Sequence, residues 1–264
     1  MKGIGKAIGA GVTIVIIGVI VLVVALGLNG WKFDSLTNYE MKHYESTQET
    51  STIKLEFAVG TIKTEFYDGD KITIDYPENE HLTTTVTEQN GTLTALSNKS
   101  NRWWMNFGFL TKKIPTTVIS IPKNLKVNID FEINAGTVNI ADGEYLSVKM
   151  ELNAGTVKMG NTVCDNLQCR VNAGTLKVEN VACSKIKCDL DAGTVVLSDV
   201  ICNDIDVDVS AGTANITVNG DKSEYNISAS VSAGSCNVKS QQGTDANKHI
   251  RVDVSAGTVS VNFN

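Results

Sequence analysis

The chain has 264 residues, 42% of them hydrophobic and only 6% aromatic, with 22 glycines against 3 prolines and 29 acidic against 23 basic side chains. That is enough apolar material for one sizeable folded unit, and a net charge of −6 argues against nucleic acid and against polyanionic wall polymers as bulk partners. The histidines His43, His81 and His249 stand apart without Ser or Asp partners, and no nucleophile-elbow, zinc-protease, Walker or EF-hand pattern occurs, so the reading is of a protein that is not an enzyme and uses no cofactor or metal.

In chain order, the first element is apolar. Ile8 to Leu28 runs for 21 residues without a charge, which at ~1.5 Å per helical residue spans a ~30 Å hydrocarbon core. Lys2 and Lys6 precede it and Trp31 follows at interfacial depth. The positive-inside rule then predicts residues 1–7 in the cytoplasm and the chain beyond about residue 30 outside. Ala25 and Gly27 leave a cleaved signal peptide as the alternative, but the run exceeds the ~7–15 residues of a signal h-region. Residues 1–28 are therefore read as a cytoplasmic tip and retained transmembrane signal anchor of a single-pass membrane protein. The rest of the chain carries 21 basic and 29 acidic groups, a net of −8.

Residues 29–50 are polar and poorly periodic and read as a linker or stalk. An N-terminal β region follows over 51–130, with period-two alternation at Ile53, Leu55 and Phe57, then Ile62 and Phe66, then Ile72, Ile74 and Tyr76. FAVGTI at 57–62 looks like a degenerate copy of a bend found later, with one residue added. Inside this region lies NRWWMNFGFLTKK, residues 101–113. From 89 to 129 the chain carries Lys99, Arg102, Lys112, Lys113, Lys123 and Lys126 and no acid. Aromatics flanked by cations suit a bilayer interface, so Arg102, Trp103, Trp104, Phe107, Phe109, Lys112 and Lys113 are the candidate membrane or partner contact. The same segment also suits a cap over the open end of a β stack.

Residues 131–264 repeat. Gly136, Gly155, Gly174, Gly193 and Gly212 are 19 apart, and Gly234 and Gly257 continue at 22 and 23, each preceded by Ala and followed by Thr or Ser. Apolar residues sit three before and two after each glycine. This predicts a parallel β-solenoid of ~19-residue coils, two strands and two bends per coil, with Ile133, Leu152, Val171, Leu190 and Val209 stacked inside. An antiparallel meander with each NAGT as a hairpin loop is the competing fold. Asn134, Asn153, Asn172 and Asp191 should form a hydrogen-bonded ladder at one corner. Cys164, Cys183 and Cys202 occupy one column that begins with Tyr145; Cys169 and Cys188 occupy another shared with Phe131, Met150 and Val207. Exchange with large apolar residues predicts buried thiols. Bridges Cys164–Cys169 or Cys183–Cys188, and a metal held by the C-x₄-C pairs, remain open. Asp189, Asp204, Asp206 and Asp208 form an acidic stripe, which keeps a carbohydrate-active enzyme on a parallel β-helix as the alternative function.

The order of features (N-terminal anchor, NGTL at 90–93, WWMNFGFLTKK, VISIPKNL at 118–125, then AGT-punctuated strands) resembles the bacterial candidate-adhesin family of membrane-anchored β-strand-repeat proteins. That class, a domain of unknown function, includes the Lia-operon adhesin-like protein of Gram-positive bacteria. The resemblance covers roughly 35–264. It implies an all-β envelope protein on the outer face of the cytoplasmic membrane, with a binding or structural role in adhesion or envelope stress and with an envelope protein or glycan as partner. It carries over no catalytic or ligand residues.

Overall fold

The computed structural model describes residues 38–79, 82–99 and 114–264. The anchor predicted over 8–28 and the aromatic-basic segment 101–113 lie outside these residues. Among the described residues no helix is long and apolar enough to cross a membrane.

The repeat sets the architecture. Strand β10 (Thr162–Glu179) shows one coil. Its paired stretches, 162–164, 166–171 and 173–179, lie in parallel register with residues nineteen further on in β11 (Val181–Val218). Val163, Gln168, Arg170 and Lys177 face out, whereas Cys164, Leu167, Cys169, Val171, Leu176 and Val178 face in. Period-two alternation thus runs through all three stretches and flips phase only at the corners. The coil is three-sided, with two long sides and one short one. The sequence predicted two strands per coil; the third side was hidden because it is only three residues long. Parallel pairing is as predicted, and the antiparallel meander is excluded.

Strand β2 (Thr52–Tyr67) pairs with β7 (Asn128–Ile140), β7 with β9 (Ser147–Met159), and β9 with β10. Phe57, Ile133, Leu152, Val171 and Leu190 are register partners in turn, and Val209 pairs with Val254 in β13 (His249–Phe263). All of them are buried. The FAVGTI stretch is thus the bend of the first coil, extending the repeat upstream of residue 131. It aligns without an added residue, because Phe57 meets Ile133 and Gly60 meets Gly136. The short side begins with β8 (Gly143–Glu144), which pairs with Thr162 and Val163.

Both ends depart from sequential stacking. At the C-terminal end β13 inserts between β11 and β12 (Asn226–Cys236), so the Gly257 coil lies inside the Gly234 coil. At the other end the first half of β2 pairs with β5 (Thr92–Lys99) and the second half with β6 (Thr117–Pro122). A hairpin extends the first wall: β4 (Leu82–Gln89) lies against β5 through a turn whose Asn90 and Gly91 both adopt positive φ. The second wall continues antiparallel through β3 (Thr73–Glu78) to β1 (Glu40–Glu45), a strand formed from the predicted linker.

The bends explain the glycines. A Cβ on Gly136, Gly155, Gly174, Gly193, Gly212, Gly257 or Gly234 would lie 1.9–2.5 Å from the carbonyl oxygen of the neighbouring glycine. Their φ angles, +128° to +157°, are ones that side chains resist. Gly174→Ala combines the backbone clash at 2.4 Å with this strain and should destabilise by at least about 3 kcal/mol. Gly220→Ala shares the strained φ but meets only the Tyr225 ring at 3.6 Å, and should cost about 1–2 kcal/mol. Urea midpoints of the two variants check the order.

Candidate functional site

Corner side chains build two ladders. Asn153 Nδ2 donates to Asn134 Oδ1 at 2.9 Å, and Asn172 Nδ2 donates to Asn153 Oδ1. This is the predicted ladder, with Asp191 at the next position. A second ladder was missed. Asn161 Nδ2 donates to Asp142 Oδ2 at 2.7 Å and Asn180 Nδ2 to Asn161 Oδ1 at 3.1 Å. Asp199, the following member, accepts from Asn264 Nδ2 at 2.9 Å, which ties down the last residue. Asn180 and Asp199 adopt φ of +52° and +53°, a region that Asn and Asp tolerate better than other side chains. The nineteen-residue spacing of Asp142, Asn161, Asn180 and Asp199 was legible in the sequence; their role at a corner was not, without the third side.

The six cysteines are all free thiols. Cys164, Cys169, Cys188 and Cys202 are buried as predicted, whereas Cys183 is half-buried. Their contacts run across coils rather than along one coil: Cys164 is the register partner of Cys183, and Cys169 that of Cys188. The Cys164–Cys169 and Cys183–Cys188 bridges therefore give way to intercoil pairs. The Cys183 thiol hydrogen-bonds the sulfurs of both Cys164 and Cys202, which raises its pKa. Accepting from Cys183 lowers the pKa of both neighbours. Cys169 is raised by its hydrogen bond with Cys188 and by burial. Tyrosines close the column. Tyr145 precedes Cys164 and is pushed up to about 12 by burial, and Tyr225 donates to the Cys202 carbonyl at 3.0 Å. Among the described residues no group of three or more His, Cys, Asp or Glu is arranged to hold a metal ion.

The long side before the glycine bend carries the charges. Asp204 accepts from Lys185 at 2.7 Å, Asp189 lies 3.6 Å from Arg170 and 3.7 Å from Lys187, and Asp206 lies 3.9 Å from Arg251. Three of the four acids that kept an enzyme in view, Asp189, Asp204 and Asp206, thus stand in a row of outward-facing ion pairs, with Asp208 exposed beside them. The long side after the bend presents a column of Thr61, Thr137, Thr156, Thr175, Thr194, Thr213 and Thr258.

At the N-terminal end, Ser46–Ser51 with Asp70, Lys71, Ile72, Leu125 and Lys126 line an open groove of about 740 Å³. Glu88 holds the loop, accepting from the Thr47 amide at 3.0 Å and from its hydroxyl at 2.6 Å. Arg102, Trp103, Trp104, Phe107, Phe109, Lys112 and Lys113 lie outside the described residues, but the strands that flank them do not. β5 ends at Lys99 on one wall of the first coil and β6 begins at Thr117 on the other.

The Toastrack DUF4097 family profile matches residues 50–263. Comparison with curated proteins returns no match. Among solved structures, a candidate adhesin from Bacteroides fragilis is similar at 18% identity, over 86% of this chain and 98% of that one, with a TM-score of 0.51. A candidate cell adhesion protein from Clostridium sporogenes shares 16% identity over 86% of this chain and all of its own, at a TM-score of 0.37. A candidate lipid-binding protein from Parabacteroides distasonis shares 14% over 87% and 98%, at 0.41. At 18% identity, the similarity to the Bacteroides fragilis structure speaks to fold alone.

Asn153 sits mid-ladder as both donor and acceptor. Asn153→Ala removes both bonds from a partly exposed corner and should lower stability by about 1 kcal/mol. Thermal unfolding beside an Asn237→Ala control separates a ladder effect from general amide loss, because Asn237 bonds only within the terminal coils.

Proposed function

The chain belongs to the Toastrack DUF4097 family, and on that premise we propose a membrane-anchored, extracytoplasmic protein with a non-catalytic binding role, its solenoid held with the N-terminal end toward the bilayer. The observation that carries the reading is the position of β1. From Leu28, the last residue of the apolar run, the chain reaches strand at Glu40, a span of at most ~40 Å at ~3.3 Å per residue. The splayed end of the stack, with its groove and the strands flanking residues 101–113, is therefore tethered close to the membrane surface. Each cation of that segment near anionic headgroups contributes ~1 kcal/mol, and Trp103, Trp104, Phe107 and Phe109 supply the rings that favour headgroup depth.

The row of ion pairs supports binding over catalysis. An acid–base pair for glycoside or uronide chemistry needs two carboxyl groups converging on one bond, whereas Asp189, Asp204 and Asp206 each answer a neighbouring cation. Adhesion to a glycan or envelope protein then falls to the exposed end and sides.

The test uses the full-length chain with Trp31→Phe, reconstituted in vesicles of phosphatidylglycerol and brominated phosphatidylcholine. Emission from Trp103 and Trp104 should be blue-shifted and strongly quenched by bromine near the headgroups, and Lys112→Glu with Lys113→Glu should relieve much of the quenching. Emission unaffected by brominated lipid rejects the membrane contact. In that case lost melting stability in Trp103→Ala/Trp104→Ala assigns the segment to covering the first coil.

A further inference from the structure

The two long sides of the solenoid account for most of its residues, but the short side holds a group that neither the fold nor the binding role uses. Cys164, Cys183 and Cys202 recur at nineteen-residue intervals on it, Cys164 directly opposite Cys183 in the parallel ladder. A structural core column would be served as well by valine, which occupies the equivalent place in many other columns. Three sulfurs in a row, the middle one half-buried and hydrogen-bonded to both neighbours and the outer two 5% and 2% exposed, make an arrangement with chemistry of its own. Residues just before them in sequence, Val163 and Ile201, are 51% and 56% exposed, so the side is open to solvent.

We propose that this column is a site of oxidative modification, at which Cys183 forms an intercoil disulfide with either Cys164 or Cys202. Parallel neighbours stand ~4.8 Å apart, inside the ~4.4–6.8 Å Cα separation a disulfide accepts, whereas Cys164 and Cys202 are two coils, ~9.6 Å, apart and cannot be joined. Every crosslink therefore contains Cys183. The oxidant is a low-molecular-weight disulfide. Cys183, the accessible thiol, gives up its proton, slowly because its pKa is raised, and its sulfur displaces one thiolate of the small disulfide, forming a mixed disulfide. The sulfur of Cys164 or Cys202, already in contact and bearing the lowered pKa, then displaces the second thiolate. Two protein thiols lose two electrons and two protons, and the small disulfide leaves as two thiols. The third cysteine of the column stays reduced. It can attack Cys183 in turn, which moves the crosslink by one coil and frees the former partner.

Cys169 and Cys188 supply the internal comparison. They make the same kind of pair but are 1% exposed each, on the inner face of a long side, so they should react only on unfolding.

The experiment treats the full-length native protein with 2-hydroxyethyl disulfide, blocks remaining thiols by alkylation, and maps crosslinked peptides by mass spectrometry. Wild type should lose two of its six thiols, with Cys183 in every bridge. Cys164→Ser should give only Cys183–Cys202, Cys202→Ser only Cys164–Cys183, and Cys183→Ser none in this column. Bridges that omit Cys183, a Cys169–Cys188 bridge forming first, or no thiol loss until the protein is unfolded would each overturn the proposal. Should a serine variant not fold, the wild-type map decides alone, since it already shows whether Cys183 is in every bridge.

Discussion

The structure depends on how closely one glycine backbone sits on the next. Each bend glycine is packed against the carbonyl oxygen of its neighbour so tightly that no Cβ fits between them. This contact fixes the register of the two long sides, and register fixes which side chains face in. The insertions before Gly136 and Gly234 accordingly lie on the short side. Between Gly60 and Gly136 the chain leaves at Tyr67 and returns at Asn128; between Gly212 and Gly234 it leaves at Val218 and returns at Asn226. In both cases the extra residues replace or extend the short side and the long sides keep their count; after Gly234, by contrast, the second long side stops pairing at Cys236 and the chain leaves as the loop 237–248. The solenoid is a rigid two-walled frame with one permissive edge.

That permissive edge explains how the stack ends. An open solenoid presents unpaired strand edges that invite aggregation. Here the insertions return to cover them: β3 to β6 emerge from the first coil and lie on its outer face, and β12 is laid outside β13. Because β2 and β13 are each sandwiched, neither the first coil nor the C-terminal strand can peel away alone. Asn264 is held three ways, through its amide to the Val218 carbonyl, its carbonyl to the Gly220 amide, and its side chain to Asp199. Burial of Tyr225 beside Phe263, with ring centroids 5.8 Å apart, locks the same end.

Much of this was legible beforehand, for a physical reason. Nineteen-residue spacing and period-two alternation are direct images of coil length and of in–out parity, so Ile133, Leu152 and Val171 could be placed in the core from the sequence alone. The third side left only Thr162, Val163 and Cys164 and their counterparts as signal, too short for any period to show. The coil exchange at the C-terminal end was invisible as well. Gly234 and Gly257 carry the same motif, and which of them meets Gly212 depends on the paths of 219–225 and 237–248 rather than on the repeat. Cys183 illustrates the limit for sites: its column was read correctly, but whether its sulfur faces a partner along the coil or across it is decided by the corner at Asp165, where pairing breaks before the long side begins.

A frame of this kind separates stability from recognition. Its long sides are flat and periodic, one striped with ion pairs and the other with threonine, and each stripe is worth little per pair because it is exposed. A partner that bound such stripes would find nearly the same surface at every coil and could slide by ~4.8 Å without much change in contact. Among the described residues the period is broken at the splayed N-terminal end with Ser46–Ser51 and the strands flanking residues 101–113, and at the C-terminal loop 237–248, while the short side adds thiols that three coils alone carry. The selective chemistry of this protein therefore belongs to the departures from its repeat. The repeat itself sets their spacing and orientation.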